Sequence, residues 1–177
     1  VSLDESRRRY DEGVQQIRTL LTEENVSADG EFHSYKNVTS LPRPTQQPCP
    51  PIWVAGLQTP ETFESAGRNG ANCMAHPIGG AELHELLGSY HEAWAKAGHP
   101  GKGKVALAFM MYCAPTTEQA IEEAGPDVKA YFETLTDAAS DWSGGASSDD
   151  YPGYDKIVEI LAKEDVISQR EKSAAFV

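Results

Sequence analysis

Short apolar runs alternate with capped amphipathic helices through the middle of this chain, and that alternation limits what it can fold into. Ile52–Ala55 is apolar without a break, Asn72–His76 is a second strand candidate, and Val105–Ala114 is ten residues with no charge. A continuous apolar run is how a strand buried on both faces reads. Helices fill the gaps. Thr59 is a good N-cap, Pro60 suits the first helical position, and Gly70 ends the periodic pattern that contains Phe63 and Ala66. From Ala81 to Ala97 an apolar face carries Leu83, Leu86, Leu87, Tyr90 and Trp94, closed by Gly98 and Pro100. Strands separated by helices build a parallel sheet through right-handed crossovers. The expected class is α/β, and the pattern leaves an open sheet and a barrel equally available.

The flanks are mostly helical. Ser2 and Glu5 form an S-x-x-E capping box, after which Tyr10, Val14, Ile17 and Leu21 share one face, so a helix is expected to about Glu24. Asp29-Gly30 predicts a tight turn, and the weak alternation of Phe32–Val38 predicts a short hairpin. Leu41–Pro51 holds five prolines in eleven residues, which excludes a helix and any central strand. The strand that begins directly after it favours an extended segment lying on a surface over an interdomain linker. Beyond the third strand, Thr116–Gln119 is another capping box. Its helix should break or kink at Gly125-Pro126 and be followed by a second one with Val128, Tyr131, Phe132 and Leu135. Residues 141–153 are expected to be a mobile polar loop, and a last helix should run from about Tyr154 to Lys163. One domain is expected over 1–177.

Charge narrows the partners. Fifteen Lys and Arg face 27 Asp and Glu, a formal net charge of -12. Such a surface repels phosphate backbones and anionic lipid, which argues against nucleic acid and membranes as partners, yet a phosphate held locally by backbone N–H groups remains open. No stretch approaches the roughly 18 apolar residues of a membrane span. The charged opening helix is no signal peptide. Three widely spaced cysteines, Cys49, Cys73 and Cys113, fit a reduced, cytoplasmic setting. The chain has no initiator Met and stops as an apolar run begins, which reads as a piece of a longer polypeptide.

Several motifs reduce to ordinary structure. Gly98–Lys104 matches G-x-x-x-x-G-K, but Val105 stands where a P-loop needs Ser or Thr, and the order here is helix to strand. It reads as a connecting loop. His84 and His91 are seven apart on one helix, without the i, i+4 spacing or a third ligand that zinc needs, so no metal site is expected. His33 and His99 fall in turns. His76 differs, because it stands at the C-terminal end of a predicted strand, the rim where parallel α/β folds bind ligands. Gly56 ends the preceding strand, and with no Cβ it would let backbone approach a ligand. The helix after it begins at Thr59–Pro60, where the first N–H groups lack partners and carry partial positive charge. With the Thr59 hydroxyl they would make a phosphate cradle that needs no Lys or Arg. An ordinary capped helix would be written with the same residues.

The string GEFHSYKNVTSLPRPTQQPCPPIWVAG, Gly30 to Gly56, resembles the luciferase-like flavin monooxygenases, as do AGRNGAN, the helix end YHEAWAKAG at Tyr90–Gly98, and Val105–Ala114. The likeness runs from about Leu3 to Thr117 and is nearest to the branch found in natural-product biosynthesis. It implies a (β/α)₈ barrel that binds reduced FMN, uses O₂ and oxygenates an organic substrate, either a small molecule or one bound to a carrier. It also implies a flavin reductase as partner and is compatible with a homo-oligomer. By the same resemblance, Gly56, Leu57, Gln58 and Thr59 would lie by the flavin phosphate, with His76 on the same rim. Such a barrel takes about 250 residues. The three strands here would be its fifth to seventh, so a partial barrel is expected, inactive by itself and with its catalytic residues unknown and outside this chain. Two alternatives are an oxidoreductase using the deazaflavin F420 on the same barrel and a non-catalytic half-barrel that serves as an interaction module.

Overall fold

Glu12, in the middle of the first helix, organises the beginning of the fold. Its carboxylate accepts hydrogen bonds from the backbone N–H of His33 at 2.8 Å and of Phe32 at 3.1 Å. It thereby ties a hairpin turn to the helix. In the computed structural model, which describes residues 3–77, 82–143 and 157–174, that helix is α1 (Leu3–Thr22), and the hairpin is β1 (Val26–Asp29) and β2 (Ser34–Val38), paired antiparallel. Ser2, half of the expected capping box, lies outside the described residues. The proline-rich segment holds neither helix nor strand, as expected, but it is bent and not extended, and its Arg43 has a defined job. The last turn of α1 has no basic residue of its own. The Arg43 guanidinium donates instead to the carbonyls of Leu20 at 2.8 Å and Leu21 at 3.1 Å, capping the helix end.

By its contacts the chain divides into two compact units, one built on residues up to Ile52 and one on residues from Trp53 onward, where a single domain over 1–177 was expected. The second unit holds the sheet. Its strands β3 (Trp53–Gly56), β4 (Asn72–Ala75) and β5 (Val105–Leu107) lie in that order and are all parallel. Helix α2 (Pro60–Arg68) joins the first two and α3 (Glu82–Lys96) the last two. The class is therefore α/β, as the alternation predicts, with three strands that do not close on themselves.

Helices α2 and α3 meet at unusually close range because Gly67 has no side chain. A Cβ there would sit 2.3 Å from the Tyr90 carbonyl oxygen. Around that contact Phe63, Leu83 and Tyr90 are fully buried, and the Tyr90 hydroxyl donates to the Ala71 carbonyl at 3.2 Å. The loop that resembled a P-loop is pinned to the same core. The Trp94 indole N–H donates to Pro100 O at 3.1 Å, and His91 Nδ1 lies 2.7 Å from Lys102 O.

Burial pushes the Cys73 thiol up to about 11, and burial, helped by nearby Cys73, pushes the Tyr90 phenol up to about 12. Both groups are favoured in their neutral form by folding. Their contribution to stability is complete below about pH 9 and is lost as pH rises toward 11 and 12. Urea midpoints measured from pH 8 to 11 should fall, and Cys73→Ala should flatten the part of that fall below pH 10. An identical fall in the variant would show that Cys73 is not responsible.

Three expectations need correction. The strands are not buried on both faces: Trp53, Ala55 and Met74 are exposed, because within this unit α2 and α3 pack on one face of the sheet only. The run Val105–Ala114 is not one long strand. Ala108 N–H donates to Ala75 O at 2.9 Å, β4 ends there, and without a partner the next residues leave the sheet, with Met111 and Tyr112 exposed. Gly125-Pro126 does not break the following helix, which runs as α4 from Thr117 to Ser143. A mid-helix proline costs about 3 kcal/mol. Beyond it Phe132 and Ala139 are buried against Ile157 and Leu161 of α5 (Ile157–Leu161), and that packing offsets the cost. Of the loop expected over 141–153, Asp141–Ser143 close α4, and the rest lies outside the described residues. The last predicted helix is α5, and a further helix, α6 (Val166–Ala174), was not anticipated.

Candidate functional site

Parallel strands place their C-terminal ends on one edge, and here that edge brings the predicted residues together. Gly56 is in register with Ala75, so Leu57 and His76, the residues that follow, leave the sheet at the same level. Leu57 then packs against the cluster of Phe132, Ile157 and Leu161, which anchors the turn to α4 and α5. Gln58 and Thr59 complete the turn. Thr59 is extended (φ -79°, ψ 112°) and occupies the N-cap of α2, with Pro60 behind it and Glu61 in the first turn. It makes no side-chain cap hydrogen bond, although the spacing predicts one. Its hydroxyl is thus not committed to the helix that it precedes.

Gly56 does not have the reason expected for it. A Cβ at this position would meet the Phe63 ring at 2.8 Å, and its φ is not in the left-handed region. The missing side chain makes room for the ring of α2 to close over the strand end. Gly56→Val would therefore disturb the core before it disturbed any ligand.

His76 is half-buried, and its Nδ1 is enclosed with no hydrogen-bond partner among the described residues. Burial holds the imidazole below its ordinary pKa. The carboxylate of Glu164 pulls it back up, and the Lys172 ammonium pushes it down. The ring is neutral at pH 7, so Nδ1 is a donor or an acceptor according to tautomer. The two charges acting on it form a pair of their own. Glu164, 5% exposed, accepts from Lys172 Nζ, from Gln169 Nε2 at 2.5 Å and from Ser168 Oγ at 3.1 Å.

Sequence reasoning missed Glu164, Gln169 and Lys172, because it ended the last helix at Lys163. A signal was present. Asp165 and Ser168 cap α6 reciprocally, Ser168 N–H to Asp165 Oδ1 at 2.7 Å and Asp165 N–H to Ser168 Oγ at 2.9 Å. A D-x-x-S box before Gln169 and Lys172 marks a helix start with polar residues on one face.

Comparison with known proteins decides the family. The profile of the luciferase-like monooxygenases matches residues 1–168. This chain belongs to that family. A curated relative, the oxygenase component of the flavin-dependent trigonelline monooxygenase of Acinetobacter baylyi, is 36% identical over 94 residues, which is 52% of this chain and 26% of that protein. A solved monooxygenase from Streptomyces bottropensis shares 29% identity with a TM-score of 0.64, covering 99% of this chain and 51% of its own. Two more distant structures share the fold. One is the oxygenating constituent of 3,6-diketocamphane monooxygenase from Pseudomonas putida, solved with FMN, at 19% identity and TM-score 0.64, covering 92% of this chain and 47% of its own. The other is an F420-dependent secondary alcohol dehydrogenase, at 16% and 0.59, covering 94% and 48%. The chain thus spans about half the length of the solved relatives that it matches. The relatives that carry a monooxygenase name belong to an oxidoreductase family, and among the described residues no helix is long and apolar enough to cross a membrane.

Proposed function

We propose that this chain supplies the phosphate-binding side of an FMN-dependent monooxygenase, with the turn Gly56–Thr59 as the cradle and His76 beside it. The observation that carries the reading is the uncommitted Thr59 hydroxyl at the mouth of α2, at the C-terminal edge of a parallel sheet, in a chain of this family. An anion there would meet the partial positive charge of the helix end. The net charge of -12 gives it no long-range attraction, so directed N–H groups and the Thr59 hydroxyl must hold it. The neutral imidazole of His76 would offer one more hydrogen bond on the same rim. FMN, when reduced, would supply the chemistry that activates O₂; the residues of this chain would bind and orient it. As an oxygenase component, the Acinetobacter relative supports a separate flavin reductase as partner. The chain alone has about half the length of its solved relatives, so by itself it would leave much of the flavin in water. Good small-molecule sites bury about 70–90% of the ligand.

Titration of FMN and riboflavin onto the full-length protein, followed by flavin fluorescence, tests the reading. Hydrogen bonds to charged groups are worth about 1.5–3 kcal/mol. Thr59→Ala should weaken FMN about tenfold or more and leave riboflavin unchanged. Since Thr59 makes no cap bond, the variant should also unfold at the same urea concentration as the wild type. Equal losses for FMN and riboflavin would reduce Thr59 to a structural residue. The fold shared with an F420-dependent dehydrogenase favours F420 as the second reading. Tighter binding of F420 than of FMN in the same titration would select it.

A further inference from the structure

The residues that leave the sheet after β5 do not simply trail into solvent. With α4 and α6 they wall a cavity of about 690 Å³, within the 300–1,000 Å³ typical of small-molecule sites. It lies beyond the C-terminal end of β5, on the edge of the sheet that also carries Thr59 and His76. Its two helical walls differ. Helix α4 contributes Ala120, Ile121, Ala124 and Val128, an apolar stripe interrupted by Asp127. Helix α6 contributes Val166, Gln169, Arg170 and Ser173, one face by their spacing of three and four. That face carries five guanidinium N–H donors and a hydroxyl. Gln169 is 5% exposed, and its amide donates to Glu164, which also binds Lys172 and bears on His76. The donor-bearing wall is thus fixed to the same buried pair that acts on the rim histidine.

We propose that this cavity is the pocket for the organic substrate, and that it takes a compact, largely apolar molecule with an oxygen acceptor head, a carboxylate or a carbonyl, held by Arg170 and Ser173. The apolar body would lie against Ile121, Ala124 and Val128. Asp127 stands on the opposite helix from Arg170, so the one anionic and the one cationic group of the wall are segregated, and a negatively polarised head is drawn to the Arg170 side. That the ligand is the substrate rests on the monooxygenase reading; that the cavity binds such a molecule does not.

Three probes of one size separate these statements: 1-naphthoate, 1-acetonaphthone and 1-methylnaphthalene, titrated onto flavin-free protein and followed by amide ¹H–¹⁵N shifts. Saturable shifts are expected in 110–128 and 166–173. Arg170→Gln should weaken 1-naphthoate at least about tenfold, the ketone less, and 1-methylnaphthalene not at all. Ala120→Trp, which fills the cavity, should weaken all three. Should it fail to fold, the Arg170→Gln comparison decides alone. Shifts outside those segments, or a naphthoate affinity that Arg170→Gln leaves unchanged, would overturn the proposal. Intact pocket shifts together with a failed Thr59→Ala test would reject the flavin reading and keep the pocket; the reverse pattern would reject only the pocket.

Discussion

Gly67→Leu should leave the second unit unfolded. The smallest possible side chain already collides: a Cβ would lie 2.3 Å from the Tyr90 carbonyl and 3.0 Å from Trp94 N and the Ala93 methyl. Two of these three atoms are backbone of α3, so no rotamer change can clear them. Relief requires α2 and α3 to separate, which would open the contact around Phe63, Leu83 and Tyr90. Overpacking that side chains can absorb costs about 1–3 kcal/mol. Here a backbone shift is added, and marginal stabilities of about 5–15 kcal/mol leave little reserve. Gly67→Ala should already lower the urea midpoint clearly, read through tryptophan fluorescence. A Gly67→Leu protein with the wild-type midpoint would show that the two helices are not locked at this distance.

The second large effect is expected at Lys172. Lys172→Met leaves the Glu164 carboxylate, with a side chain only 1% exposed, facing its two neutral donors without a counter-charge. Breaking a buried pair by removing one partner costs about 3–5 kcal/mol. Lys172 is itself 27% exposed, so the lower end applies, about 3 kcal/mol. Glu164→Gln in the same protein should recover part of the loss, since an amide needs no counter-ion. The change should also be legible at His76. Removing Lys172 should raise the imidazole pKa and Glu164→Gln should lower it, because these charges act on the ring in opposite senses. Proton NMR titration of the ring reads both shifts. A His76 pKa indifferent to both substitutions would separate the rim from the buried pair.

These residues also mark how far the sequence could be read. Punctuation was reliable wherever it was local. Thr59-Pro60 and the Gly70 stop bound α2, Asp29-Gly30 turns the hairpin, and the order of elements as far as β5 follows from apolar runs and capping signals. Failures came where a local pattern depends on a neighbour. The charge-free run after Val105 reads as a strand only if a partner strand continues beside it, and β4 ends at Ala75. Pro126 reads as a breaker unless the next turns are held by α5. At the site, position was legible and reason was not. Gly56 and Thr59 stand where expected, yet Gly56 serves the Phe63 ring, and Thr59 makes no cap bond. Glu164 and Lys172 escaped notice because two charges eight residues apart look like solvated surface until burial joins them.

The bare face of the sheet has a colloidal consequence. Trp53 and Met74 on the strands, and Phe109 just beyond them, are exposed apolar groups, and β3 and β5 each pair on one side only among the described residues. An open edge beside exposed apolar surface is a template for another copy. What opposes that contact is the charge of -12, felt as mutual repulsion between molecules. Salt shortens the reach of this repulsion to about 10 Å at 0.1 M but leaves hydrophobic attraction in place. Added salt should therefore favour self-association of this chain through that face, a rise that light scattering at fixed protein concentration would read.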